Sequence, residues 1–276
     1  MPSKLQTTTN TITLIFSVLL FLLLLGGLYV LRTVNFEVED RGQYHSLSRW
    51  MLTGGDLRSN LIYSLGSITV LILFSIVSNL SLSSLFGKTA SAELFYLILF
   101  NTAISLEVFR LGVMLMQVWT MPAFLSRSFT QAVVFGRVMA LLVMLLSSLF
   151  AVGMKYNHHS TLLAGIFILS VLLASIFPVD VTRYETSFIH KLGDGQAYWT
   201  LNIGLAALSL INFLAAAIIR RSRRFLAVGA ATILLFLGKE LLYWGATPIP
   251  LISGALLLLG GTVLFARQIA LFYLWI

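Results

Sequence analysis

The sequence predicts an all-α fold: a polytopic transmembrane helical bundle of about eight helices, or seven if one apolar run is re-entrant, joined by short loops. Three observations predict it. Of 276 residues, 58% are hydrophobic and only 10% charged, with mean hydropathy +0.95. A soluble domain carries about 25% charged residues, so water would not tolerate the surface of this chain. Apolar runs then recur at bilayer-spanning length, about 20 residues each, and the joints between them carry turn residues. No polar stretch is longer than that from about Val34 to Asn60, so residues 1–276 read as a single transmembrane domain.

The elements follow in order. Residues 11–31 are apolar over too long a run for a signal peptide, and GGLYVLRTVN offers no small-residue cleavage site, so they read as an uncleaved first helix. Further runs occupy about 61–80, 93–118, 131–154, 161–179, 199–219, 225–246 and 250–270. Ser81–Ser84 and Gly87-Lys88 separate the second from the third, and Pro122 follows the third. Asn157-His158-His159-Ser160 reads as a solvated turn, Pro178-Val179-Asp180 ends the fifth helix, and Pro248 and Pro250 divide the last two. Residues 42–55 place Tyr44, Leu47, Trp50 and Met51 at the spacing of an interfacial amphipathic helix. Residues 181–199 read as a loop that ends on Tyr198-Trp199 as interface anchors. Gly254, Gly260 and Gly261 are expected to let helices approach closely.

The formal charge of +8 is spread over helix ends, apart from RRSRR at 220–224. In a membrane chain this points to anionic lipid headgroups and away from nucleic acid. The tight basic turn is expected on the cytoplasmic side of an inner membrane, which puts both termini there too. Absence of cysteine excludes disulfides, thiolate chemistry and Cys-ligated metal. No two of the four histidines sit four residues apart, so no helical metal pair forms, and no metal or cofactor is expected. Intramembrane proteolysis lacks an embedded histidine or aspartate, and no enzymatic signature is present.

Function is sought in five charges embedded in apolar helices: Glu107 and Arg110 in SLEVFRLG, Arg137, and Lys239 and Glu240 in LGKELLYWG. An embedded charge costs roughly 2.5–3.5 kcal/mol on insertion scales unless it is paired or wetted. At 1.5 Å per residue, Arg110, Arg137 and Lys239 all fall about 9–13 Å below the outer surface, with Glu107 one turn deeper than Arg110. Glu107 and Arg110 share a helix face. Lys239 and Glu240 diverge by about 100°, so Glu240 is expected to meet Arg110 or Arg137, with Glu107 shared. Three bases against two acids leave one positive charge, which invites an anion or water.

This predicts a receptor-like or accessory membrane protein whose cluster binds a small charged ligand or locks helix packing. A small secondary transporter of an organic anion or ion, using the same cluster, is the alternative. In outline alone the chain is similar to the seven-helix sensory modules fused to bacterial histidine kinases, which would imply a sensory module acting through a partner protein. The apolar tail 266–276, with Tyr273 and Trp275, is the expected docking strip for a partner helix.

Overall fold

The computed structural model describes residues 4–38, 57–89, 91–118, 122–154, 159–185, 187–245 and 247–274. The expected amphipathic segment 42–55 lies outside the described residues, as do His158 and Trp275. Among the described residues eight helices are long and apolar enough to cross a membrane, in keeping with the eight-helix reading. The elements are α1 (Lys4–Val38), α2 (Leu57–Thr89), α3 (Ala92–Ile104), a 3₁₀ turn (Ser105–Val108), α4 (Phe109–Val118), α5 (Ala123–Val152), α6 (His159–Ile176), strands β1 (Val179–Tyr184) and β2 (His190–Leu192), α7 (Gly195–Ile219), α8 (Arg224–Tyr243) and α9 (Pro248–Leu274). The third span comprises α3, the 3₁₀ turn and α4. With eight spans, the start of α1 and the end of α9 share one side, called here the terminal end.

The third span is the hub. It is 94% buried over its apolar window, against 17% for α6 and 28% for α1 and α7. That explains its composition: α3 is apolar on every face apart from Glu93, Asn101 and Thr102, as befits a helix enclosed by others. Ser91 caps it by accepting from the Leu94 amide. The fourth span lies against it, and Gly136 is what allows the approach. A Cβ there would lie 2.8 Å from the Ala103 carbonyl oxygen. α8 and α9 form the most extensive helix pair. At Gly238 and Gly254 a Cβ would come within 2.9 Å of the opposing backbone, and Gly261 is also close. Gly260 does not share that role, because nothing lies within 4 Å of it.

Polar residues stitch the first three spans. Ser17 meets Ser75, and the Asn79 amide donates to Thr102. The basic turn 220–224 is not wholly given to lipid. Arg220 donates to the Phe150 carbonyl at 3.0 Å and Arg224 to the Leu271 carbonyl, so both cap the C-terminal ends of helices. The expected docking strip is also internally engaged: Ile269 and Ala270 are buried, and the Tyr273 hydroxyl donates to the Glu93 carboxylate at 2.9 Å. His159 does not lie in a solvated turn. It is buried, with Nδ1 2.7 Å from the Tyr96 hydroxyl.

The largest departure from the sequence reading is the segment 181–199. It forms an antiparallel hairpin, β1 against β2, that turns into the bundle mouth. Ser187, Phe188, Ile189 and His190 are all buried. Phe188 adopts φ 62°, a conformation a bulky residue takes only when its surroundings enforce it. Here its ring is buried among Ile68, Leu106 and Leu111. Asp194 then caps α7 by accepting from the Ala197 amide. Tyr198 is no interface anchor, since it is buried edge-on against Phe177. Trp199 is the half-exposed one.

Candidate functional site

Glu107 sits in the 3₁₀ turn that interrupts the third span. Its carboxylate takes a hydrogen bond from Arg137 Nε at 2.5 Å and lies 3.6 Å from Arg110 Nη1. The three form a buried triad, each less than 5% exposed. Arg137 is carried by the fourth span, one residue after Gly136. The close approach that this glycine permits brings the fourth span to the third there.

Arg110 is the better satisfied of the two guanidinium groups. Nη2 donates to Ser64 at 2.7 Å and Nη1 to Ser67 at 3.3 Å, both on α2, while Nε donates to the Ser187 carbonyl at 2.8 Å. It therefore ties the second span, the third span and the hairpin. Arg137 is less complete. Its guanidinium carbon lies 3.0 Å from the centre of the Tyr243 ring, a cation–π contact, and Nη2 has no hydrogen-bond partner among the described residues.

Lys239 and Glu240 behave differently from expectation. They pair with each other, Nζ to Oε1, at 3.0 Å. The Cα–Cβ directions diverge, but the four-carbon lysine stem is long enough to bend back to its neighbour. No ion pair joins Glu240 to Arg110 or Arg137 among the described residues. Glu240 instead lines the same cavity as Arg137. None of the three faces lipid as an isolated charge: Arg137 and Lys239 are each 3% exposed, and the Glu240 side chain is 24% exposed.

That cavity is small. Water-sized spheres can occupy about 20 Å³ of it, room for roughly one water. Arg137, Glu185 and Glu240 supply its charges; Tyr198, Trp199, Tyr243 and Trp244 supply aromatic walls. Trp199 and Trp244 stack at 6.1 Å with their planes 11° apart, and both are 39% exposed. The Tyr198 hydroxyl is buried beside the Arg137 guanidinium without a hydrogen bond of acceptable geometry.

Glu185 is the residue that sequence reasoning missed. It lies in the hairpin turn and accepts a hydrogen bond from the Tyr243 hydroxyl at 2.5 Å. With it, Glu107, Glu185 and Glu240 balance Arg110, Arg137 and Lys239, and the formal charge of the array is zero. The leftover positive charge expected from five residues is thus absent. The signal that could have found Glu185 is the apolar pair Phe188-Ile189, out of place in a solvated loop.

The hairpin has a second anchor. Ser126 Oγ, in the first turns of α5, lies 2.6 Å from His190 Nε2, and Thr130 Oγ1 accepts from the His190 amide. A bond to the Arg183 backbone, together with the charge of Asp180, pulls the imidazole upward, but burial outweighs both and holds its pKa below the ordinary histidine value. A serine beside a histidine invites comparison with a nucleophile and its base. Both are sealed, however, at 5% and 1% exposure, and neither lines the cavity. The geometry is that of a tether.

Fold and site together define an integral, multi-pass membrane protein with a neutral, buried charge array at the mouth of the bundle opposite the terminal end. Beyond that class, the chain matches no family model, no curated protein and no solved structure with which it was compared.

Proposed function

We propose that the chain is a receptor-like or accessory membrane protein, not an enzyme, that takes a small zwitterion beneath the Trp199–Trp244 pair. One observation carries this reading: Arg137, whose buried Nη2 makes no hydrogen bond of good geometry among the described residues, lines a cavity whose other charges are two carboxylates. A neutral array favours a ligand that adds no net charge. The ligand's acidic group suits Nη2, and its amine suits Glu185, Glu240 and the aromatic faces, by ionic and cation–π attraction. As it stands the cavity admits about one water, so entry requires the two tryptophans to part. They belong to the sixth span and to the end of the seventh, so occupancy would be felt as a displacement between spans. The lightly buried fifth span is the face through which a partner helix would receive it, as in a sensory-type module. Without such a ligand the same array serves to lock helix packing.

The membrane is proposed to be an inner, cytoplasmic-type membrane with the terminal end inside, on the strength of the 220–224 turn. Arg220 and Arg224 are engaged internally, and Arg221 and Arg223 remain to read the lipid surface.

A second reading, a small secondary transporter, is favoured by the 3₁₀ interruption at Glu107. Transporters place binding groups where helices break, and a mid-span 3₁₀ stretch is a common hinge. The test is a thermal-unfolding screen of the purified chain against amino-acid-like zwitterions, followed by liposome flux. A ligand at about 100 times its Kd adds about 2.7 kcal/mol. We expect such stabilisation in the native chain, its loss in Glu240→Gln, and no flux. Flux abolished by Glu240→Gln would replace the receptor by the transporter; stabilisation unchanged in Glu240→Gln would remove the site.

A further inference from the structure

A second cavity lies far from the charge array, on the lipid side of the bundle. α2 and α9 touch near the outer end, where a Cβ on Gly66 would lie 3.5 Å from Leu251. Towards the terminal end they leave a cleft in which water-sized spheres can occupy about 450 Å³. Leu82 and Leu85 form one wall; Leu259 and Val263 form the other. The lining is apolar with a few polar exceptions, and the charged one decides the chemistry. Arg267, towards the terminal end, is the cleft's charged lining residue and enters no ion pair among the described residues.

Depth decides what an unpaired arginine there can meet. α9 has 27 residues, about 40 Å at 1.5 Å per residue, against a hydrocarbon thickness of about 30 Å. Centred, it overhangs by about 5 Å at each end. Arg267 is seven residues from Leu274, about 10 Å, so its Cα lies about 5 Å inside the boundary. An arginine at that depth extends its head to the phosphate level while its stem stays in the apolar layer. An apolar trough of this size, with a cation at phosphate depth and no acid among its lining residues, is complementary to one kind of molecule. We propose that this cleft binds an anionic phospholipid of the leaflet at the terminal end, its acyl chain between α2 and α9 and its phosphate on Arg267. Basic pockets between spans recognise headgroups in this way.

The test uses the full chain, purified in detergent and freed of co-purified lipid. It is titrated with phosphatidylglycerol or phosphatidylcholine of identical acyl chains, and bound lipid is counted by native mass spectrometry. One basic group near the surface contributes about 1 kcal/mol, so phosphatidylglycerol should bind about fivefold more tightly. Arg267→Gln should bring the two lipids level, and Arg267→Lys should keep the preference. Val77→Trp, which adds bulk to a lipid-facing wall residue of the same cleft, should weaken both. Equal binding of the two lipids by the native chain overturns the proposal, as does a preference that survives Arg267→Gln. Because the chain has no cysteine, Val263→Cys reports any second copy in the cleft; efficient disulfide dimers in the membrane would also overturn it. So would displacement of phosphatidylglycerol by millimolar inorganic phosphate.

Discussion

Glu107→Gln is the perturbation that most directly tests the triad. The carboxylate serves two buried guanidinium groups, at 2.5 Å from Arg137 and 3.6 Å from Arg110. A glutamine at this position would keep the shape and remove the charge. Breaking a buried ion pair by neutralising one partner costs about 3–5 kcal/mol, because the other charge stays buried. For a chain of this size each kcal/mol moves Tm by roughly 2–4 °C, so a fall of about 6–20 °C is expected. Glu240→Gln is the internal comparison. Its carboxylate is 24% exposed and serves a single cation, the buried Lys239 beside it, so the loss is expected at the low end of that range, about 3 kcal/mol, or about 6–12 °C. Thermal unfolding of the detergent-purified variants, followed by light scattering and size exclusion, reads both. A double variant, Glu107→Leu with Arg137→Leu, sharpens the test. Removing both partners leaves no uncompensated charge between them, while Arg110 retains Ser64, Ser67 and the Ser187 carbonyl. The double variant should therefore be more stable than the sum of the single changes by at least about 1 kcal/mol. Additive losses, or a Glu107→Gln shift no larger than that of Glu240→Gln, would refute a shared network.

Two further outcomes follow from the hairpin and the eighth span. Burial holds His190 below its ordinary pKa, so the unfolded state binds the proton more readily than the folded one, and stability drops as pH falls below about 6.5. Amide exchange at 187–190, corrected for intrinsic rates, should be faster at pH 5.5 than at pH 7.5 in the native chain; an equal pH response in His190→Gln would exclude this histidine as the cause. At the α8–α9 contact, Gly254→Ala forces a methyl group against the Gly238 carbonyl and should cost about 1–3 kcal/mol. Gly260→Ala, with open space around it, should leave Tm unchanged or slightly raised.

The spans were legible because a bilayer imposes one requirement, about 20 apolar residues in a row, and every span meets it in sequence. The triad was legible for a related reason: charge in such a run is costly, and counting residues fixes its depth. The hairpin was not. Its inward turn depends on the Ser187 carbonyl accepting from Arg110 and on Phe188 held at positive φ. A backbone carbonyl has no side-chain signature, and VTRYETSFIHKLGDG is polar enough to pass for a solvated loop. The break at Ser105–Val108 contains neither glycine nor proline, the two residues by which interruptions are usually read. Arg220 was misjudged because a basic turn looks the same whether it faces lipid phosphate or helix carbonyls. The Glu93–Tyr273 contact spans 180 residues, beyond what local pattern can anticipate.

The sixth member of the array changes how a transmembrane voltage acts on it. A unit charge carried through 100 mV exchanges about 2.3 kcal/mol with the field. Glu107, Arg110 and Arg137 together carry +1, Glu185 carries −1, and Lys239 with Glu240 carry none. If all six shift as one body, the field does no net work on them. If the hairpin withdraws while the triad stays, a negative charge moves alone, and the membrane potential either assists or resists that step according to its sign. An electrical signature would therefore report movement of the hairpin and the triad relative to one another.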